Sequence, residues 1–218
     1  MKITGKTREI VYEGRSLCCC NQKSRDWTHL YEYQGNGSTL NRAGCGVFAL
    51  VHVIEWMHGI RLQPETVADY SVACGGRGDD GTDRPAMLHG MMEGGFAKQY
   101  GFRYEEDGLL NDHEQLWAHM KAGNAALCNL RLGHIVALLD WREKDGKRQL
   151  LVMDSVAESA SEKFRDRVRE CVPGTEIAYP VRNADDEIRG YGEGYAMFWV
   201  DFDLPWDFNL LHKTEPAK

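Results

Sequence analysis

Residues 41–57 read NRAGCGVFALVHVIEWM, and this stretch places a cysteine between two glycines at the start of an apolar run. Between residues 47 and 57 only His52 and Glu55 are polar, so the sequence predicts a helix that is buried on most of its sides. Cys45 then lies at the helix N-terminus, where free backbone N–H groups and the positive end of the helix dipole favour a thiolate. Such cysteines have a pKa lowered from about 8.5 to between roughly 3.5 and 7.5.

This position allows two interpretations of Cys45. Gly44 and Gly46 lack side chains that would block the approach of a substrate backbone, which favours a nucleophile. The alternative is a buried core cysteine that simply begins a core helix. A nucleophile would need a base for its thiol elsewhere in the chain, and a third group to orient that base.

Length and composition set the broad class of protein. The 218 residues are enough for one domain with a substantial core, and we interpret residues 1–218 as a single domain with an N-terminal arm at residues 1–30. The net charge of −7 argues against binding to nucleic acid or anionic lipid, and no apolar run reaches the roughly 18 residues of a membrane span. Residues 1–17 show no apolar leader, and the seven cysteines have no framework spacing, which predicts a reduced cytoplasmic protein.

Three stretches that suggest a metal or a cofactor do not fit one. Residues 18–20 are three adjacent cysteines without a C-x-x-C pair, which argues against zinc. Residues 76–81 match the letters of a dinucleotide-binding loop, but no strand is predicted before them. The aspartates of residues 79–83 lack the register of a calcium loop and indicate a solvated acidic loop. We therefore expect neither a metal nor a cofactor.

The remaining periodicity predicts helices first and strands afterwards. Helices are expected at residues 64–74, 83–100 and 112–121, and strands at residues 125–130, 134–141, 149–154 and 195–202. Residues 158–194 suggest an insertion, with a charged helix at 158–170 and a loop at 173–194, and the tail after His212 suggests a loose end. This order is typical of an α+β fold, in which a helical layer led by the Cys45 helix packs on an antiparallel sheet.

Of the eight histidines, His134 has the position that a base for Cys45 requires. It follows Gly133 and precedes an apolar run, so it lies at the mouth of a buried strand. His52 lies two turns along the cysteine's own helix and is too far from the thiol. The alternative for His134 is a histidine at a strand end whose hydrogen bonds are satisfied by structural partners.

Asp154 is the residue predicted to orient that imidazole. The Asp145-Gly146 dipeptide predicts a tight hairpin turn, which sets residues 155–157 across from His134 if the loop has two to four residues. A slightly different loop or one bulge would bring Asp154 opposite His134. Facing side chains in such a pair have Cβ atoms about 5 Å apart, so Asp154 would accept the Nδ1–H of His134. The alternative is an aspartate that only begins a turn before Ser155.

The attacked carbonyl would also need an oxyanion hole. The backbone N–H of Cys45 is one predicted donor. Gln34 and Asn41, in the loop before the cysteine, are candidates for a side-chain amide donor.

The segments GCGVFAL (residues 44–50), GHIVALLDW (133–141) and VMDSV (152–156) resemble the cysteine, histidine and aspartate blocks of the papain-like cysteine peptidases. The chain is most similar to the branch of bacteriocin-leader, or double-glycine, processing peptidases and their stand-alone relatives, to which residues 62–68 (LQPETVA) are also similar. The resemblance covers about residues 27–203. It implies a papain-like fold with Cys45 as the nucleophile, His134 as the base and Asp154 as the orienting residue.

The chain departs from that family at the oxyanion glutamine, which lies about six residues before the cysteine and corresponds to Thr39 here. Our leading hypothesis is a cysteine peptidase that hydrolyses a peptide or isopeptide bond in a peptide or protein substrate. Two alternatives stay open. One is a catalytically weak or inactive module that binds a peptide in the same cleft, and the other is an acyltransferase or amidase on the same fold.

Overall fold

The structure is a computed structural model that describes residues 5–130, 133–157, 166–183, 187–203 and 206–217. The described helices are α1 Leu40–Ala43, α2 Cys45–His58, α3 Pro64–Ala73, α4 Arg84–Glu93, α5 Phe96–Tyr100 and α6 His113–Lys121. The described strands are β1 Thr7–Tyr12, β2 Arg15–Cys20, β3 Arg77–Gly78, β4 Gly81–Thr82, β5 Phe102–Arg103, β6 Ala125–Leu130, β7 His134–Lys144, β8 Lys147–Met153, β9 Val168–Cys171, β10 Glu176–Arg182, β11 Ile188–Tyr195, β12 Met197–Asp201 and β13 Asp207–Lys213.

Helix α2 is the central helix of the fold. Every residue from Cys45 to Met57 is buried, because β6 and β7 pack on one side of the helix and α3, β2 and β4 pack around the rest. The helix ends at Gly59, whose φ of 69° is left-handed and whose N–H donates to the carbonyl of Glu55. The predicted buried helix, its start at Cys45 and its glycine cap are confirmed.

Among the described residues, the main sheet has the strand order β5-β13-β6-β7-β8-β12-β9, and each neighbouring pair is antiparallel. Alternate residues of β6 and β7, such as Leu127 and Ala137, join the core that contains α2. The residues between them, such as Cys128 and Leu138, join a second cluster under α6. An α+β arrangement with a large antiparallel sheet is therefore present, as the sequence predicts.

The hairpin of β7 and β8 determines where Asp154 lies. Asp145 and Gly146 have φ values of 53° and 70°, as a two-residue hairpin turn between paired Lys144 and Lys147 requires. A bulge, one of the two irregularities considered from the sequence, is present between Leu138 and Asp140. However, the ladder ends at the pair Ala137 and Met153, so Asp154 follows the end of β8 and is not a ladder partner of His134.

Two predicted helices differ from the structure in part. The helix expected at residues 83–100 is broken into α4 and α5, because Gly95 has a left-handed φ of 82° and Gly94 packs against the Tyr70 hydroxyl too closely for a side chain. Of the charged helix expected at 158–170, residues 158–165 lie outside the described residues, and Val168 to Glu170 belong to strand β9. This strand pairs with β12 at the sheet edge.

The C-terminal half contains more strand structure than the sequence predicts. Residues 173–194, expected to be a loop, contain the hairpin of β10 and β11. The tail after His212 is held, because Thr214 donates to the carbonyl of Gly101 and Ala217 to that of Lys98. Strand β13 was not predicted at all, and it pairs with β6 inside the main sheet. Within the described ranges, no helix has the length and apolar character needed to cross a bilayer.

Candidate active site

Cys45 occupies the first turn of α2 and borders a cavity, although only 8% of its surface is exposed. Both flanking glycines are needed for close packing. A Cβ on Gly44 would come within 2.6 Å of the Leu40 carbonyl oxygen, and a Cβ on Gly46 within 2.6 Å of the Thr82 side chain. The structure thus gives a different reason for the two glycines from the one predicted, which was room for a substrate backbone.

His134 and Asp154 form a buried pair beside this thiol. Nε2 of His134 lies 2.6 Å from Oδ1 of Asp154, and the two residues are 8% and 0% exposed. Gly133 precedes the histidine with a φ of 75°, a conformation that L side chains rarely adopt. The carboxylate therefore contacts Nε2, and the prediction that it accepts from Nδ1 is wrong. Nδ1 is left for the thiol of Cys45, with which His134 forms a hydrogen bond.

The electrostatics of the pair favour a charged thiol. Burial acts to raise the pKa of Cys45, but the hydrogen bond and charge of His134, with the backbone N–H groups of Ile135 and Gly46, lower that pKa below its usual value. Burial acts to lower the pKa of His134, whereas the charge and hydrogen bond of Asp154, and then Cys45, raise it to about 9. The lowered pKa of Cys45 and the raised pKa of His134 both favour a thiolate–imidazolium pair near neutral pH.

Backbone contacts fix the position of Asp154. Its N–H donates to the carbonyl of Ala196 at 2.7 Å, and its Oδ1 also accepts the N–H of Val156 at 2.7 Å. Gln22, which is buried, forms two hydrogen bonds with Ser155, the residue that follows Asp154. Its N–H donates to the carbonyl of Ser155, and its Oε1 accepts from the Ser155 hydroxyl at 3.1 Å. The acid is therefore held in place by segments distant in sequence, and Gln22 was not singled out by sequence reasoning.

A cavity of about 500 Å³ opens beside the sulfur of Cys45. The loop between α3 and α4, together with the first turn of α4, forms one side of the cavity. The start of β7 and the end of the neighbouring strand β6 form the other side. Its lining residues are Cys45, Gly78, Asp79, Asp80, Gly81, Thr82, Asp83, Arg84, Pro85, Leu109, Asn129, Gly133 and Ile135. The acidic loop at residues 79–83 is thus part of the same cavity as the thiol, which the sequence alone did not indicate.

Buried polar contacts hold this loop in shape. The guanidinium of Arg77 is buried and donates to the backbone carbonyls of Tyr31, Gly78 and Gly81. The hydroxyl of Tyr31 lies 2.8 Å from Oγ1 of Thr82, whose side chain packs on Gly46. The loop is therefore fixed against the start of α2 by contacts that are long-range in sequence.

The two residues predicted for the oxyanion hole do not line this cavity. Gln34 is exposed in a loop, with a φ of 50°. The amide of Asn41 is engaged with the carbonyl of Ser24 at 3.4 Å. The side-chain amide in the cavity is that of Asn129, which stands opposite Ile135 in the ladder of β6 and β7. Asn129 was missed because a polar residue near a strand end gives no signal by itself.

The other thiols and His52 belong to the structure around α2. His52 accepts the N–H of Cys20 on Nε2 at 3.2 Å, and burial lowers its pKa to about 4. The hydrogen bond that Cys20 donates to Cys18, together with burial, raises the pKa of Cys20, while the same hydrogen bond lowers that of Cys18. In the part of the chain that the structure describes, no group of His, Cys, Asp and Glu side chains is placed to hold a metal ion.

Comparison of the chain with protein-family models, with curated proteins and with solved structures finds no match.

Proposed function

We propose that this chain is a papain-like cysteine peptidase that hydrolyses a peptide or isopeptide bond. The single observation that carries the proposal is the contact order thiol, imidazole and carboxylate in Cys45, His134 and Asp154, placed at the edge of a cavity. A helix that begins at the cysteine and packs on an antiparallel sheet that supplies the histidine is consistent with the papain-like fold.

The proposed reaction has two steps. The thiolate of Cys45 attacks the substrate carbonyl carbon, a C–S bond forms, and the carbonyl oxygen becomes an oxyanion. Nδ1–H of His134 then donates its proton to the leaving nitrogen as the C–N bond breaks, which gives a thioester. In the second step His134 removes a proton from water, the resulting hydroxide attacks the thioester, and the Cys45 thiolate leaves.

The oxyanion would be stabilised by donors at the start of α2. The first N–H groups of a helix have no intrahelical acceptor, and the helix dipole adds positive potential there. The N–H of Cys45 is one such donor, and the amide of Asn129 is our candidate for a second. This pair replaces Gln34 and Asn41 as our candidates, because both groups border the same cavity.

The proposal is tested with the wild-type protein and mixtures of fluorogenic peptides. We expect turnover by the wild type, a trapped acyl adduct on Cys45 in the mass spectrum, and loss of turnover in Cys45→Ala and His134→Ala. A wild-type protein that neither cleaves peptides nor forms an adduct with peptidyl chloromethyl ketones would contradict the proposal and favour a binding module. Transfer of the acyl group to an added amine faster than to water would instead assign an acyltransferase.

A further inference from the structure

We infer that the cavity beside Cys45 selects a substrate segment carrying a lysine or arginine side chain close to the attacked carbonyl. This inference rests on the proposed function, since it specifies the substrate of the same site. The thiol and three exposed aspartates, Asp79, Asp80 and Asp83, share one cavity.

The carboxylates in this cavity lack counter-ions of their own. Among the described residues, no lysine, arginine or histidine pairs with Asp79, Asp80 or Asp83. Asp83 uses Oδ1 to cap α4 through the N–H of Ala86, and its charge remains. A substrate cation could therefore pair with these carboxylates without displacing a positively charged side chain of the protein.

The two arginines near the loop are already engaged. Arg84 is only 4% exposed and pairs with the carboxylate of Asp207. Arg77 is also buried and is used by backbone carbonyls behind the loop, so its one charge offsets only part of the three negative charges. Because Cys45 and His134 form an overall neutral pair, the potential in the cavity stays negative.

The rest of the lining suits an aliphatic stem. Leu109 has 53% of its surface exposed and borders the cavity with Pro85 and Ile135. Lysine and arginine place three or four methylenes before a charged head, so the stem would cover apolar surface while the head reaches the aspartates. A metal ion fits less well, because no group of described carboxylates converges as ligands would.

The loop is held in place before any substrate arrives. Arg77 fixes its backbone from behind, and Thr82 is seated on Gly46 and bonded to Tyr31. A rigid arrangement of charges lowers the entropic cost of binding and makes the selection sharper.

The test measures binding separately from catalysis. Cys45→Ala protein is titrated with positional mixtures of fluorescent peptides in which one position is fixed as lysine, arginine, norleucine or glutamate. We expect lysine and arginine mixtures to bind at least about tenfold more tightly than norleucine mixtures at one position, and glutamate mixtures to bind most weakly. In 1 M salt the preference should shrink, since the aspartates are exposed and screened.

Two variants assign the preference to the loop. Asp79→Asn with Asp80→Asn should reduce the ratio of lysine to norleucine affinity towards one. The matched control, Glu143→Gln with Asp145→Asn, makes the same charge change in the exposed β7–β8 turn and should keep the ratio. Equal affinity for lysine and norleucine at every position, or an equal loss of preference in the control, would overturn the inference. Failure of peptide cleavage by the wild type with the preference intact would contradict the proposed function alone.

Discussion

The imidazole of His134 faces Asp154 through Nε2, at 2.6 Å from Oδ1, and so presents Nδ1 to the thiol of Cys45. This orientation decides which nitrogen carries the proton that the leaving group receives. It also makes the charge of Asp154 the main cause that raises the pKa of His134 to about 9. The consequences can be measured one residue at a time.

Replacing Asp154 by asparagine keeps the size of the side chain and removes its charge. The pKa of His134 should then fall, since the charge of Asp154 is the largest cause that raises it. We expect kcat/KM at pH 8 to fall by about two orders of magnitude, and its alkaline limb to move to lower pH. Asp112→Asn, which preserves the N-cap of α6, is the matched control. An alkaline limb that does not move in Asp154→Asn would contradict the assigned role.

The pH dependences of alkylation and of hydrolysis should differ. Since the pKa of Cys45 is lowered, its reaction with iodoacetamide should rise at acidic pH and already be fast below pH 7. Since the pKa of His134 is raised to about 9, hydrolysis should fall as pH rises through 9 and the imidazolium loses its proton. Alkylation needs no proton donor and should not fall there.

Peptide mapping, with Cys18→Ser as the control, assigns the label, because the pKa of Cys18 is also lowered. Parallel alkaline limbs for both reactions would contradict a proton-donating imidazolium.

Asn129→Ala should lower kcat by about one to two orders of magnitude and change the iodoacetamide rate of Cys45 by less than about twofold. The reason is that the amide would act on the developing oxyanion and not on the thiol. The measurement is steady-state hydrolysis beside alkylation of the same preparation. A raised KM with an unchanged kcat would show instead that Asn129 binds the ground state and the transition state equally and does not stabilise the oxyanion selectively.

Gly46→Ala should destabilise the protein by about 1–3 kcal/mol, because the added Cβ would come within 2.6 Å of Thr82. The displaced Thr82 should also loosen the loop that borders the cavity. Chemical denaturation gives the change in the free energy of unfolding. Gly190→Ala is the control, since a Cβ there meets open space. Equal effects of the two substitutions would mean that Gly46 is not closely packed.

Local sequence could predict those parts of the fold and the site that a short run of neighbouring residues encodes. An apolar run after a glycine-flanked cysteine indicated α2, Asp145-Gly146 indicated the hairpin, and the glycine before a strand indicated His134. Strand β13 lacked such a signal, because its DFNLLHK sequence mixes polar and apolar residues and is stabilised by pairing with β6. The cavity could not be predicted from local sequence either. Its acidic loop is placed by Arg77, whose acceptor at Tyr31 lies far away in sequence.

The most direct test of the whole account is the difference in thiolate absorbance at 240 nm between wild type and Cys45→Ala as a function of pH. Subtraction removes the other cysteines and leaves the titration of Cys45. We predict that the Cys45 thiolate persists below pH 7, and that His134→Ala raises its apparent pKa by more than about one unit. A Cys45 thiol that titrates near 8.5 and does not respond to His134→Ala would contradict the thiolate–imidazolium pair on which the account depends.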